Sequence, residues 1–191
     1  NALNTAVGYF AGLNVSTGVQ NTLIGGLAGD AITSGHSSTA LGYAALSTED
    51  TSSHNTAIGY AAMASGQNAA KNVAVGNNTL TSMQPASNTD TYNVAVGYNA
   101  GLSVTTGTAN TIVGGLAGDA LTTGVHNVAI GYAALTNEDA HGRNVAVGFE
   151  SLNQQNAGAD AYNTAIGYQA GKAVTTGANN TLIGAQTGDS L

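Results

Sequence analysis

The chain contains 191 residues, of which 27 are Gly, one is Pro and none is Cys. Only 7% of the residues are charged, and three basic against ten acidic side chains give a net charge of −7. This balance excludes nucleic-acid binding, which needs a basic stripe to neutralise phosphates, and no apolar run approaches the roughly 20 residues that insert into a membrane as a helix.

A pentad with the consensus Asn-(Thr/Val)-(Ala/Leu)-(Val/Ile)-Gly recurs eleven times along the chain. Its copies follow one another with a period of seventeen, which lengthens to twenty-one after Asn72 and to nineteen after Asn144. A fixed period of this length predicts a solenoid, in which each repeat forms one coil and like residues stack in ladders. The predicted Asn ladder is Asn4, Asn21, Asn55, Asn72, Asn93, Asn110, Asn127, Asn144, Asn163 and Asn180, with Ser38 in the third coil. The predicted Gly ladder is Gly8, Gly25, Gly42, Gly59, Gly76, Gly97, Gly114, Gly131, Gly148, Gly167 and Gly184.

The pentad alternates with period two, as in Val128-Ala129-Ile130, which is the pattern of a β-strand, and the Gly that follows permits a tight corner. A repeat of this length fits a coil of two short strands and two turns, the second strand lying near Tyr132–Leu135. We therefore predict an all-β parallel solenoid of about eleven 17-residue coils. We expect Val and Ile to form its dry interior, Ala to face outward, and the Asn side-chain amides to bond to one another along the stack.

A longer rhythm is set by the ninth place of each coil, counted from the first residue of the pentad. This place alternates between Gly and a large residue, as in Gly29 against Leu46. The rhythm divides a single repeat array, 1–191, into super-repeats at about 4–92, 93–162 and 163–191, the last of them incomplete. We expect the chain to be a segment of a longer fibre.

An isolated ribbon of such coils buries few large apolar groups. The free energy gained by this burial has to offset the conformational entropy that is lost when every residue of the coil is ordered. The small Ala face allows a neighbouring chain to approach closely. We expect a homotrimer with the Ala faces turned toward one another.

The segment Asn127–Ala134 resembles the head repeat of YadA-like trimeric autotransporter adhesins, whose core reads Ser-Val-Ala-Ile-Gly, and similar repeats occur in phage tail-fibre proteins. Val128, Ala129, Ile130 and Gly131 match that core, as do residues 73–76 and 145–148. The resemblance implies a left-handed parallel β-roll, a trimer and an extracellular fibre on a virion or a bacterial surface. The family coil is shorter and begins with Ser, and the longer coils and the tyrosines here favour a tail fibre over an autotransporter head.

Aromatic residues recur directly after the corner Gly and are the candidate surface contacts: Tyr43, Tyr60, Tyr98, Tyr132 and Tyr168, with Tyr9 in the first coil. They form either a packed ladder with the hydroxyls in water or a stacking platform for a host glycan or protein. The function predicted is that of a rigid spacer with a host-surface contact. The alternatives are an autotransporter head and an ice-binding solenoid, although Val interrupts the Thr array that ice binding needs.

Enzymatic chemistry is not expected. Gly188–Leu191 spells an esterase nucleophile motif, but Asp189 aligns with Asp30 and Asp119 and belongs to a repeated turn. No catalytic, cofactor or metal site is predicted. We expect solvated loops to hold His36, His54, His126 and His141 and the acidic pairs Glu49-Asp50 and Glu138-Asp139.

Overall fold

A computed structural model describes residues 2–188 of the chain, which form a parallel β-solenoid of eleven coils. Each coil contributes one three-residue strand to an eleven-stranded parallel sheet, in chain order. Its strands are β1 Thr5–Val7, β2 Thr22–Ile24, β3 Thr39–Leu41, β4 Thr56–Ile58, β6 Val73–Val75, β8 Val94–Val96, β9 Thr111–Val113, β10 Val128–Ile130, β11 Val145–Val147, β12 Thr164–Ile166 and β13 Thr181–Ile183. Equivalent places pair throughout, so that Ala129 lies between Ile112 and Ala146. The predicted fold class is confirmed.

The prediction of a second strand in every coil was wrong, because the part of the coil after the corner Gly consists of turns. In residues 2–188, a second sheet exists only as the short parallel pair β5 Ala69–Ala70 and β7 Thr89–Asp90. Residues at the seventh and ninth places have positive φ, as at Ala133 (51°) and Leu135 (54°). This left-handed backbone is incompatible with a strand. Backbone hydrogen bonds still join the coils here, such as Gly118 N to Ala134 O at 2.9 Å.

The interior of the solenoid is lined by the third place of the pentad, which reverses the expected orientation of the strands. Ala40, Ala57 and Ala129 are completely buried, whereas the second and fourth places are never buried, as with the 36% exposed Ile130. The predictions of a Val/Ile interior and of an outward Ala face were therefore wrong. The expected contact between chains through the Ala faces was wrong for the same reason, because these Ala side chains are buried inside one chain. The coil is narrow, and in most coils only a small residue fits on the strand opposite the turns.

The super-repeat reflects an exchange of volume within this narrow core. Five of the eight coils with Ala at the third place fill the space with a large ninth residue, such as Leu46, Met63 or Leu135. The other three have Gly12, Gly101 and Gly171 there, each packed against a Leu or Ile of a neighbouring coil. Where the third place is Leu23, the ninth place is Gly29, and a Cβ on that Gly would lie 2.7 Å from Leu23 Cδ2. The rhythm of the ninth place is thus a packing requirement.

The two longer coils keep the strand register and place their extra residues after the turns. In the longest coil, which begins at Asn72, Met83 is buried in the core and residues 89–90 form β7. In the coil that begins at Asn144, Gln155 is buried and its Oε1 accepts a hydrogen bond from Asn163 Nδ2 at 2.8 Å. Across residues 2–188, the structure has no helix long and apolar enough to span a membrane.

Candidate interaction face and polar clusters

The outer face of the eleven-stranded sheet is uncharged and largely apolar over its whole length. Its two rows of side chains, defined here as the sheet face, come from the second and fourth places of each coil. The second place is Thr or Val and the fourth is Val, Ile or Leu in every coil. Strands lie about 4.8 Å apart, so eleven strands give a face roughly 48 Å long. Exposed apolar residues within it include Leu41 (43%) and Ile166 (40%), which makes the sheet face the candidate interaction surface of the chain.

Beside the sheet face, the residues after the corner Gly form a row of exposed aromatic rings. Tyr43 and Tyr60 stack at 5.6 Å between centroids with planes 13° apart. Tyr132, Phe149 and Tyr168 form a second stack with spacings of 5.4 Å. Each of the five candidate contact residues is 50–60% exposed: Tyr43, Tyr60, Tyr98, Tyr132 and Tyr168.

Phe149 belongs to this row, although a search for Tyr alone misses it. Alignment of the coils on the corner Gly would have found it. Tyr98 has no aromatic neighbour, because the adjacent coils carry Asn77 and Gly115 at the same place. The row is therefore divided into separate stacks.

The Asn ladder lies inside the solenoid and joins every pair of successive coils. At each step the backbone N–H of the first pentad residue donates to the side-chain oxygen of the same place in the preceding coil, over 2.8–3.2 Å. The Asn Nδ2 usually donates to a carbonyl fourteen residues on, as Asn110 does to Gly124 O at 2.9 Å. Amide-to-amide bonds of the expected kind occur at a minority of steps, such as Asn110 Nδ2 to Asn93 Oδ1 at 3.1 Å. The ladder is thus chiefly a side-chain-to-backbone network.

The Gly ladder marks a corner at which neighbouring coils touch through their backbones. Gly114 has φ 133°, and a Cβ added to it would lie 2.4 Å from Gly131 O. No L-residue with a side chain fits this combination of conformation and contact.

The two acidic loops are not fully solvated, contrary to the sequence-based expectation. Glu49 and Glu138 are completely buried, while Asp50 and Asp139 beside them are exposed. Both glutamates occupy the twelfth place, which points into the core and is Leu121 in the coil before Glu138. Burial raises the pKa of both carboxyl groups above the ordinary glutamate value.

The structure brings Glu138, Asp139 and His141 together, with one ligand atom of each within 4.8 Å of the others. The other histidines, His36, His54 and His126, are exposed, as expected for loop residues. No metal site was predicted from the sequence, because the spacing of these residues alone does not reveal the cluster.

A groove with a volume of about 360 Å³ adjoins the longest coil. It is lined in part by His36, His54, Lys71 and Asp90. Lys71 Nζ lies 2.6 Å from Asp90 Oδ2, and this hydrogen bond lowers the pKa of the Asp90 carboxyl. The longer connection contributes Asn88, Thr89 and Asp90 to the lining of the groove.

The esterase-like motif ends in Asp189, Ser190 and Leu191, which lie outside the described residues. Comparison of the chain with protein-family models, with curated proteins and with solved structures found no significant match.

Proposed function

We propose that the chain is a non-enzymatic, extracellular fibre segment of the phage tail-fibre type, which assembles as a homotrimer and acts as a rigid spacer with a contact to the host surface. The observation that supports this most directly is the uncharged sheet face, whose fourth-place row of Val, Ile and Leu runs along all eleven coils. Two further copies of the same chain are the occupants that match this face.

The repeat itself favours self-association. Side chains at the fourth place recur with the spacing of the strands, so a copy aligned in parallel meets the same spacing over the full length of the face. The chain carries a charge of −7, but the second and fourth places contribute none of it, and the face therefore brings no like charges together. Closed rotational symmetry would cover the face in every copy and leave none open for further growth.

The role of a spacer agrees with how the coils are joined. Adjacent coils share strand pairing, the Asn network and backbone bonds between their turns. Bending the stack would stretch all three sets of bonds at once. Such a segment transmits position and orientation along a fibre.

The aromatic row provides the candidate host contact. Stacked rings such as Tyr132, Phe149 and Tyr168 present flat apolar surfaces with polar edges, on which the apolar face of a sugar ring can pack. An autotransporter head would use the same architecture. A membrane-anchor sequence next to this segment in its gene would favour that alternative, and a chaperone domain would favour the phage.

Ice binding is the second candidate function, supported by the outward Thr row Thr5, Thr22, Thr39 and Thr56 in four consecutive coils. Val73 and Val94 then interrupt the row. Strong thermal hysteresis by the purified chain would favour this function over that of a fibre.

The mass of the assembly in solution tests the trimer directly. Light scattering after size-exclusion chromatography should give about three times the chain mass of 18.7 kDa. The double variant Ile130→Asp/Ile166→Asp places two charges on the sheet face and should yield monomers. Thr106→Asp is the matched control, because Thr106 is exposed in a turn away from the sheet and should leave the trimer intact.

A monomeric wild-type chain with folded β structure would refute the trimer. A trimer that survives both sheet-face charges would show that a different surface holds the copies together.

A further inference from the structure

Glu138 is an acidic residue at the twelfth place of its coil, where side chains pack into the core. The twelfth place points inward, and in most other coils it is occupied by apolar residues: Val15, Ile32, Met83, Val104, Leu121 and Val174. The side chain of Glu138 is completely buried. Its Oε1 accepts a hydrogen bond from the His141 backbone N–H at 3.2 Å, whereas its Oε2 has no hydrogen-bond partner.

His141 is equally unusual for its place, the fifteenth of the coil. Six other coils have Gly there: Gly18, Gly35, Gly107, Gly124, Gly158 and Gly177. The His141 imidazole Nδ1 is buried without a hydrogen-bond partner and lies 3.6 Å from Glu138 Oε1. That separation is too long for a hydrogen bond. Two ligands bound at about 2.1 Å to a tetrahedral ion, however, lie about 3.4 Å apart.

Asp139 adds a second carboxylate at the solvent side of the same turn. It is exposed, and its carboxylate comes within 4.8 Å of the ligand atoms of Glu138 and His141. Two carboxylates this close together repel each other when both are ionised. The nearby Arg143 does not neutralise the pair, because it forms an ion pair with Asp160. A cation bound between the three groups would remove this repulsion and give the unpaired buried atoms a partner.

We propose that Glu138, Asp139 and His141 bind a divalent transition-metal ion of the Zn²⁺ class. One imidazole nitrogen with two carboxylates is a donor set for such ions, whereas Ca²⁺ and Mg²⁺ prefer oxygen alone. Water completes the coordination on the exposed side, next to Asp139. The ion fastens the turn of the eighth coil, where the chain leaves the core.

The first super-repeat contains a natural counterpart that lacks the imidazole. Glu49 is buried at the same twelfth place, and its Oε1 accepts the Ser52 backbone N–H at 2.9 Å. Ser52 stands where the second super-repeat has His141. The Asp50 carboxylate accepts a hydrogen bond from the Thr33 hydroxyl and so is already engaged. This turn folds without a histidine, and we expect it to bind no transition metal.

The test is titration of the full chain, freed of metal with EDTA, with ZnCl₂ by calorimetry and with CoCl₂ by visible absorption. We expect one ion per chain and the absorption bands of tetrahedral or five-coordinate Co²⁺. The variant His141→Ser copies the first super-repeat and should lower the affinity at least tenfold and abolish the bands. Asp139→Asn should also weaken binding, while the matched control Asp50→Asn should not.

Equal binding by the wild type, His141→Ser and Asp139→Asn would overturn the proposal, as would the absence of Zn²⁺ binding to the wild type. Circular dichroism establishes that each variant is folded. If His141→Ser fails to fold, Asp139→Asn decides the matter, because Asp139 is exposed and its amide keeps the size of the side chain.

Discussion

Removing one side chain from the Asn ladder should cost a large part of the stability of the solenoid, and Asn110 is the best position for the experiment. Its Nδ2 donates to Gly124 O at 2.9 Å, and its Oδ1 accepts the Asn127 N–H at 2.9 Å. Asn110 is completely buried, so Asn110→Ala leaves a carbonyl and an N–H without partners away from water. Each unsatisfied group costs about 1–3 kcal/mol, which predicts a loss of about 2–6 kcal/mol in the free energy of unfolding.

The chain itself suggests the graded control. Ser38 replaces Asn in the third coil, and its Oγ accepts the Asn55 N–H at 3.2 Å. Asn110→Ser should therefore keep the bond accepted from Asn127 N–H, lose the bond donated to Gly124 O, and cost about 1–3 kcal/mol. Asn137→Ala removes an exposed Asn and should change stability by no more than about 0.5 kcal/mol.

Urea unfolding at one fixed protein concentration measures these differences, since association contributes to apparent stability. Hydrogen exchange at the Asn127 amide gives a local readout, and we expect its protection to fall in Asn110→Ala. If Asn110→Ala were as mild as Asn137→Ala, the ladder would be incidental to stability. If Asn110→Ser were as damaging as Asn110→Ala, the accepted bond from Asn127 would contribute nothing.

Three further predictions concern the corner, the core and the buried acids. Gly114→Ala should cost about 3 kcal/mol, because its positive φ strains any residue with a side chain and the new Cβ would also collide with Gly131 O. A Cβ on the neighbouring Gly115 would meet nothing nearer than 3.6 Å. Gly115→Ala is therefore the control and should change stability by at most about 0.5 kcal/mol in the same urea assay. Leu135→Ala should lose about 2–5 kcal/mol by leaving a cavity, and a loss under about 1 kcal/mol would mean that the core is loosely packed there. Because burial raises the pKa of Glu49, the native chain binds more protons than the unfolded chain above about pH 4.5, so this group makes stability fall as pH rises from there through the raised pKa. Glu49→Gln should reduce that fall in melting temperatures measured between pH 4.5 and 7, and an unchanged pH profile would contradict the assignment.

The sequence was sufficient to predict the coil, its phase and the parallel stacking, since the Asn and Gly of each pentad recur with few exceptions. It was not sufficient to orient the strands, because Ala129 and its neighbours Val128 and Ile130 are all apolar and alternation alone does not say which side is inside. The signal that could have decided this lies further along the coil. Leu23 is paired with Gly29, whereas coils with Ala usually have a large ninth residue. Third and ninth places that exchange volume must share one interior.

Glu138 was misjudged for a related reason. An acidic pair in a loop ordinarily lies in water, and charge alone gave the expectation of a solvated turn. Alignment of the coils shows that the twelfth place is mainly apolar, as at Val104 and Leu121, and that Glu49 and Glu138 are its acidic exceptions. That comparison would have predicted two buried glutamates. The distance between His141 and Glu138 depends on the path of the turn, and composition and spacing do not determine it.

The volume exchange in the core also limits how such a fibre can change its length during evolution. A Cβ on Gly12 would lie 2.8 Å from Leu23 Cδ1, so the glycine of one coil makes room for the large residue of the next. Deleting only the coil with Leu23 would leave a void beside Gly12. Replacing the coil with Gly12 by one with Leu at the ninth place would make that Leu collide with Leu23. Gains and losses of whole matched groups of coils avoid both faults, and we therefore expect natural length variants to differ by groups and not by single turns of the solenoid.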